Sequence, residues 1–298
     1  MVRGSGWWGW RAVSRLAAFS LAALCSVPRT RVFVFGWSER AVPRSTSSRP
    51  HEFFASKAVL QMSTSGDKNV PGRLLVSNLS ALGTPTCRLI LASQSPRRRE
   101  ILDMMGLGGR YTAEPSPLDE SALQEELSGQ PHVSPEVYAR TLAEHKAEAM
   151  GMHMIQNDKQ SVGSTLVLGS DTIVDLDGHI LEKPTDKADA TNMLKKLAGN
   201  WHKVHTGVAL YHVRPGVDEA LLISSFTDTA NVKFADLTDT DILAYVETGE
   251  PMDKAGSYGI QGVGGQLVET MEGDFFTVMG LPMHRLSRTL TDVISSIS

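Results

Sequence analysis

Short apolar runs alternate with amphipathic stretches from Arg88 onward, and this alternation predicts a folded domain of strands and helices. The first run, 88–93, predicts a buried strand, and Pro96 then opens a helix that closes at Gly106. The pattern further predicts strands at 166–168, 173–176, 203–212 and 221–234, helices at 134–150, 186–197 and 238–248, a hairpin at 267–279 and a last helix from Pro282. This order predicts a mixed α/β architecture.

Polar and glycine-rich segments separate these elements. The dipeptide Asp177-Gly178 is a hairpin signal, because both residues tolerate the backbone conformation of a tight turn. Thr238 and Asp241 have the spacing of a capping box and therefore indicate a helix start. The segments predicted to be loops are 111–133, 150–164 and 249–265.

The first 50 residues differ in charge from the rest of the chain. They contain eight arginines, no lysine and one acidic residue, whereas the whole chain has a net charge of −4, so the remainder is acidic. A composition rich in Arg, Ser and Ala is typical of an organelle transit sequence. Alternatively, the moderately apolar stretch 16–27 is the core of a secretory or two-step plastid signal, or translation begins at Met62. We therefore divide the chain into a targeting presequence or upstream extension (1–61), a linker (62–86) and a folded domain (87–298).

Composition and missing motifs exclude several functional classes. Two cysteines, Cys25 and Cys87, are too few for a disulfide framework or a zinc cluster. The acidic remainder argues against a nucleic-acid partner, and no apolar run is long enough to span a membrane. The sequence has no GxxxxGK[ST] phosphate loop, no GxSxG motif and no HExxH motif, which argues against those enzyme classes.

Two segments carry residues suited to phosphate chemistry. The stretch 93–99 follows a strand and opens a helix, and its hydroxyls and guanidinium groups are donors for phosphate oxygens. The alternative is a capped helix with a solvated basic turn. Asp171 lies at the end of an apolar strand, where a carboxylate can orient water or bind a metal, although a turn-forming aspartate is the alternative. Lys183, shortly after it, is a candidate phosphate ligand.

Two further candidates are weaker when taken alone. Glu120 follows Asp119 in a polar loop, and Lys146 lies on a predicted helix; such residues are usually solvated. The loop 249–262 is rich in glycine, which lets the backbone approach a ligand, and its Gln261 amide can pair with the edge of a base. The alternative for this loop is a flexible connection.

Taken together, these segments resemble the Maf family of nucleoside triphosphate pyrophosphatases, whose motifs occur here in the family's order. The resemblance implies an ITPase-like fold: an elongated mixed β-sheet flanked by helices, with two lobes and a central cleft. It also implies hydrolysis of a nucleoside triphosphate to the monophosphate and pyrophosphate with a divalent cation, Mg²⁺ or Mn²⁺. The matching stretches are Leu91-Ala92-Ser93-Gln94-Ser95-Pro96-Arg97-Arg98, Gly169-Ser170-Asp171-Thr172-Ile173-Val174, Leu181-Glu182-Lys183-Pro184, Pro251 to Gly262, and Val278-Met279-Gly280-Leu281-Pro282.

The resemblance also implies roles for individual residues. Asp171 is expected to accept a proton from the attacking water, and Glu120 with Asp171 to hold the metal. The expected substrate-binding residues are Ser93, Ser95, Arg97, Arg98, Lys146, Thr172, Lys183, Asp253, Lys254 and Gln261. A homodimer and a cytoplasmic location are family-level expectations, with a mitochondrial or plastid location if 1–61 is a presequence.

Two substrate types exist in this family, and three positions distinguish them. Arg97, Thr172 and Gln261 match the dTTP/UTP type, whereas the 7-methyl-GTP type is expected to have a bulky aromatic residue, Gln and Glu there. A neutral amide can both donate to and accept from a uracil or thymine edge. The resemblance therefore implies a dTTP/UTP pyrophosphatase. The alternatives are the 7-methyl-GTP type, an enzyme for inosine or xanthosine triphosphates, and a nucleotide-binding regulator of cell division with little catalysis.

Overall fold

The computed structural model describes residues 75–130, 133–157 and 163–297. Contacts between residues divide the chain into two units, Met1–Ser56 and Lys57–Ser298, and the described residues all belong to the second. The targeting segment expected at 1–61 and the first part of the expected linker lie outside the described residues. Among the described residues, every helix is too short or too polar to cross a bilayer.

A seven-stranded mixed sheet forms the centre of the second unit, which confirms the predicted α/β class. Its order is β2-β1-β3-β5-β6-β7, and β4 pairs with the far end of β3. Pairing is parallel from β2 through β1 to β3 and antiparallel elsewhere. The strands are β1 (Cys87–Ala92), β2 (Thr112–Glu114), β3 (Ser164–Leu176), β4 (His179–Leu181), β5 (Trp201–Val213), β6 (Ala220–Phe234) and β7 (Val268–Glu272).

Seven helices pack around this sheet in the described part of the chain. They are α1 (Pro96–Leu102), α2 (Glu120–Ser128), α3 (Pro135–Asn157), α4 (Lys187–Leu197), α5 (Asp239–Glu247), α6 (Phe275–Met279) and α7 (Met283–Ile297). The predicted local signals are confirmed. Thr238 and Asp241 form a reciprocal capping box at α5, and Asp177-Gly178 turns β3 into β4 with positive φ angles at both residues.

The two faces of the sheet are covered by different helices. Helix α3 packs on one face, where Val167, Ala209 and Tyr211 meet its buried alanines and methionines. The opposite face is covered by α1 and α7 at one end and by α4 and α5 at the other. Alternating side chains of the same strands supply both cores, as the two-residue period of a strand requires.

A break in strand pairing along one edge of β3 creates space for a site. β1 pairs with β3 only as far as Leu91 and Leu168, and β4 pairs with β3 only from Val174. Between these ladders, the described residues leave 169–173 of β3 paired on the β5 side alone. Main-chain and side-chain groups of residues 169–173 therefore face a gap between the pair α1 and α7 and the pair α4 and α5.

Two glycines allow α3 to approach this part of the sheet closely. A Cβ at Gly169 would lie 2.2 Å from the carbonyl oxygen of Ala143, and a Cβ at Gly207 would lie 2.2 Å from that of Ala139. Both distances are far below van der Waals contact, so any larger residue would push the helix away. The close approach brings α3 directly beside the free stretch of β3.

Two loop predictions and one hairpin prediction differ from the structure. The segment 111–133 contains β2 and α2, because Thr112–Glu114 add a short edge strand to β1 and Asp119 caps α2 through the amide of Ala122. Helix α3 continues to Asn157, since Met150 and Met154 are buried against the sheet. The second arm of the hairpin expected at 267–279 is α6, which Asp274 caps by accepting from the Phe276 amide.

Part of the segment interpreted as a linker packs on the core. Leu75 and Leu82 are almost completely buried and join the cluster that contains α1 and α7. Two short 3₁₀ turns, Leu75–Ser77 and Leu79–Ala81, position them. Leu75, Leu79 and Leu82 have the i, i+4, i+7 spacing of an apolar stripe, but the Ser, Gly, Asn and Pro residues around them led to the interpretation as a linker.

Candidate active site

The predicted site residues meet in one cleft of about 420 Å³ beside the free edge of β3. Its walls are the segment from the end of β1 into α1, the start of α2, Lys146 of α3, the residues after β4 and the turns after α5. The twelve predicted residues that line it are Ser93, Ser95, Arg97, Arg98, Glu120, Lys146, Asp171, Thr172, Lys183, Asp253, Lys254 and Gln261. Stretches more than 150 residues apart in the chain therefore share one cavity.

The ammonium group of Lys146 lies between two carboxylates. Its Nζ is 2.6 Å from Asp171 Oδ1 and 2.9 Å from Glu120 Oε1. Burial opposes the charge of Lys146, yet the carboxylates of Asp171 and Glu120 together outweigh it and raise the pKa of Lys146. Burial likewise opposes ionisation of Glu120, and the Lys146 charge lowers the pKa of Glu120 below its ordinary value. The alternative in which Lys146 is a solvated surface lysine is therefore wrong.

Asp171 has one carboxylate oxygen engaged and one available. Its Oδ1 accepts from Lys146, whereas its Oδ2 is buried without a hydrogen-bond partner among the described residues. A buried, unpaired carboxylate oxygen is costly in a folded protein unless a ligand completes it. The lone oxygen of Asp171 at the cleft wall is therefore available to a water proton or a cation.

Glu182 is a site residue that sequence reasoning missed. It lines the same cleft, and its Oε1 is also buried without a partner in the described part of the chain. Burial, aided by the charge of Asp171, raises the pKa of Glu182 to about 7. Its position immediately before Lys183 was the available signal.

Arg98 is fixed by three neutral acceptors. Its Nε donates to the carbonyl oxygen of Gly280 at 2.9 Å, Nη1 to Ser93 Oγ at 3.0 Å and Nη2 to Thr172 Oγ1 at 3.2 Å. A guanidinium group has five N–H donors, so two of them remain for a ligand. Because all three acceptors are uncharged, the positive charge of Arg98 is available to an anion in the cleft.

Arg97 joins the α1 wall to the turns after α5. Its Nη1 donates to Asp253 Oδ2 at 3.0 Å and its Nη2 to the Asp253 carbonyl oxygen at 3.2 Å. Lys254 donates to the other carboxylate oxygen of Asp253 at 2.7 Å. Asp253 therefore neutralises and orients two cations at the cleft mouth.

The glycine-rich loop is held by a network of hydrogen bonds and is not a free connection. Glu250 accepts from the amides of Val263 at 2.9 Å and Gly264 at 3.0 Å, and from the Tyr245 hydroxyl at 3.0 Å. Gln261, between these anchors, is exposed and lines the cleft. The anchored backbone of this loop thus places the neutral amide of Gln261 in the cleft.

Comparison with known proteins gives one consistent result. The family model described as Maf-like protein matches residues 88–293. A dTTP/UTP pyrophosphatase from Aquifex aeolicus is 40% identical over 206 residues, which cover 69% of this chain and 95% of that protein. A probable bifunctional dTTP/UTP pyrophosphatase/methyltransferase protein from Homo sapiens is 42% identical over 205 residues, which cover 68% of this chain but only 31% of that protein. The solved structure of a HAM1 protein from Coxiella burnetii is a weak likeness, with 14% identity, a TM-score of 0.33 and coverage of 71% of this chain and 98% of that one.

Proposed function

This chain belongs to the Maf-like protein family, and we propose that it hydrolyses dTTP and UTP to the nucleoside monophosphate and pyrophosphate. One observation carries the proposal: the cleft places a buried carboxylate with a free oxygen, Asp171 Oδ2, beside Arg98, Lys146 and Lys183. A base next to cations is the arrangement that attack of water on a polyphosphate requires. The relative of matching length described above carries the same activity in its name.

In the proposed reaction, water attacks the α-phosphorus of the substrate. A new bond forms between the water oxygen and phosphorus, and the bond from phosphorus to the oxygen that bridges to the β-phosphate breaks. Asp171 Oδ2 accepts a proton from the water, because Lys146 already occupies Oδ1. Pyrophosphate leaves with its charge compensated by Arg98, Lys146 and Lys183, with Ser93 adding a hydroxyl donor.

The acidic side of the cleft suits a divalent cation, Mg²⁺ or Mn²⁺. Asp171 and Glu182 each have a buried oxygen without a partner among the described residues, and the Asp171 charge helps to raise the pKa of Glu182, a repulsion that a cation relieves. Glu120 would be the third carboxylate nearby, as the family resemblance implies. The described residues contain no preformed cluster of three or more metal ligands, so substrate phosphates would complete the coordination. Bound there, the cation would supply charge neutralisation of the polyphosphate.

The three positions expected to distinguish substrate types have different surroundings. Gln261 is exposed in the cleft and can meet a base edge, whereas Arg97 is committed to Asp253 and Thr172 to Arg98. We therefore propose that Gln261 reads the pyrimidine directly. Arg97 and Thr172 act indirectly, since they hold Asp253 and Arg98 in place in the wall of the cleft.

A pyrophosphate-release assay tests the proposed function. We expect turnover of dTTP and UTP with Mg²⁺ or Mn²⁺, and much slower turnover of CTP, 7-methyl-GTP and ITP. A preference for 7-methyl-GTP or ITP would replace the substrate assignment. Binding of nucleotides without turnover of any of the five would instead favour a regulator.

A further inference from the structure

Behind the cleft wall, a chain of hydroxyl groups runs from Arg98 into the interior of the sheet. Arg98 Nη2 is 3.2 Å from Thr172 Oγ1, which is 2.9 Å from Thr206 Oγ1, and Thr206 donates to the Thr277 carbonyl oxygen at 2.7 Å. Thr172 lines the cleft, but Thr206 is completely buried on β5 and does not. Thr206 can therefore influence a ligand only through its neighbours.

The hydrogen atoms of this chain can be placed in one way when all its bonds are made. The Thr277 carbonyl has no hydrogen to give, so the single hydroxyl hydrogen of Thr206 points to it. Thr206 must then accept from Thr172, which commits the only hydroxyl hydrogen of Thr172 to that bond. The Thr172 hydroxyl oxygen therefore directs a lone pair toward Arg98 and accepts a hydrogen bond from its guanidinium N–H.

We propose that Thr206 is a positioning residue for polyphosphate binding, because it orients the Thr172 hydroxyl as an acceptor that aims Arg98 at the ligand. Without Thr206, the Thr172 hydroxyl can rotate and turn its hydrogen toward the cation. Arg98 would keep its contacts with Gly280 and Ser93 but lose the third point that defines the plane of its guanidinium group. Binding geometry in such sites is sensitive to small displacements of a cation. The inference rests on the proposed function only in taking the ligand to be a polyphosphate.

A double-mutant cycle with a binding readout tests this. The variants are Thr206→Val, Arg98→Lys and the double variant, and the probe is inorganic tripolyphosphate, whose affinity is measured by calorimetry. Lysine keeps the positive charge of Arg98 but removes the donor that meets Thr172. We expect Thr206→Val to weaken binding roughly three- to tenfold in the wild-type chain and to have almost no effect beside Arg98→Lys. Thr206→Ser, which keeps the hydroxyl, should restore wild-type affinity.

A purely structural role of Thr206 predicts a different pattern. Thr206→Val also removes the side-chain donor of the Thr277 carbonyl, which keeps only the amide of Gly280, and this loss lowers the melting temperature in both backgrounds. Thr291→Val serves as the matched control, since Thr291 is similarly buried and its hydroxyl donates to the Ser287 carbonyl within α7. It should lower stability without changing the affinity for tripolyphosphate. An equal loss of affinity on Thr206→Val in the wild-type and Arg98→Lys backgrounds, or no loss in either, would overturn the inference.

The kinetics of dTTP hydrolysis separate this inference from the proposed function. In an active enzyme, Thr206→Val should lower kcat/KM by a similar factor, again only when Arg98 is present. If the wild-type chain binds tripolyphosphate but hydrolyses no nucleotide, the proposed function fails. The binding cycle still decides whether Thr206 positions Arg98. A wild-type chain that neither binds tripolyphosphate nor hydrolyses dTTP would overturn both.

Discussion

At the scale of single residues, the proposed function gives the two carboxylate oxygens of Asp171 different tasks. Oδ1 is paired with Lys146, which keeps the side chain in place, and Oδ2 is free among the described residues to take a proton. An amide at this position has nearly the same shape but is not a base. The division of tasks therefore leads to a direct prediction for Asp171→Asn.

We expect Asp171→Asn to lower kcat for dTTP by about 10²- to 10⁴-fold, since general-base catalysis contributes that much. Pyrophosphate release under saturating substrate measures it. Asp177→Asn in the exposed β3–β4 turn is the matched control and should have wild-type activity, because asparagine tolerates positive φ. A near wild-type rate for Asp171→Asn would remove Asp171 from the role of base.

In the proposed function, Glu182 helps to bind the cation at a cost in stability. Burial and the neighbouring Asp171 charge raise its pKa to about 7, so an ionised Glu182 is unfavourable in the protein without a cation. We expect Glu182→Gln to leave the metal-free melting temperature unchanged or higher. The Mg²⁺ concentration for half-maximal activity should rise by about tenfold or more. Glu247→Gln, which removes only a surface pair with Lys187, should change neither quantity.

At the scale of elements, the contact between α3 and the sheet builds the acidic half of the site. The contact exists because Gly169 and Gly207 have no side chains where the helix backbone crosses them. It places Lys146 of α3 within hydrogen-bond distance of Asp171 of β3. Packing and chemistry are thus linked through two positions outside the lining of the cleft.

Gly207→Ala should show this link. Its Cβ would meet the Ala139 backbone at 2.2 Å, and overpacking of this kind costs about 1–3 kcal/mol of unfolding free energy. The displaced α3 should also lower kcat, because Lys146 moves with it. Gly108→Ala is the control, since a Cβ there meets only ordinary contacts. Unchanged stability and activity in Gly207→Ala would show that α3 can accommodate the added Cβ without moving Lys146.

Element prediction succeeds where the signal is local. The capping box at Thr238 and the turn at Asp177-Gly178 depend on residues three or fewer positions apart, and both are present. Helix α2 escapes prediction because it buries little more than Leu127 and so has no apolar stripe. The arm after Gly273 is predicted as a strand because its apolar run fits either state, and the cap by Asp274 decides for a helix.

At the scale of the whole molecule, the folded unit extends upstream of the first strand. Leu82→Ala should lower the unfolding free energy by about 2–5 kcal/mol, because Leu82 is completely buried in the core beside α1 and α7. Val76→Ala, six residues earlier and 72% exposed, should stay within about 0.5 kcal/mol of wild type. Chemical denaturation measures both. Similar values for the two would mean that residues 75–86 behave as a linker after all.

The pH dependence of global stability should reflect His202. Burial lowers the pKa of His202 to about 4, whereas the unfolded chain takes up this proton near pH 6.5. The unfolded state therefore binds more protons in this window, and stability falls as the pH is lowered from about 6.5 toward 4, by roughly 2–4 kcal/mol.

A variant isolates this contribution. His202→Gln does not titrate and can still hydrogen-bond the Tyr258 hydroxyl, which His202 meets at 2.9 Å. Its unfolding free energy should therefore depend less steeply on pH between about 4 and 6.5. Identical pH profiles for wild type and His202→Gln would assign the acid sensitivity to other groups.

The order and type of most elements and the candidate site residues could be predicted from the sequence alone. Hydrophobic period, caps and turns act between near neighbours, and motif residues such as Arg98 and Asp171 can be recognised in the string itself. Three features follow only from the packing of distant segments. Lys146 is buried between two acids, and Glu182 lines the same cleft with an unpaired buried oxygen. Thr206 contacts Arg98 indirectly, through the Thr172 hydroxyl. The physical reason is that these meetings depend on strand register and on helix approach between segments that are distant in the chain. No local pattern encodes such a meeting, because it is fixed by packing of the whole sheet.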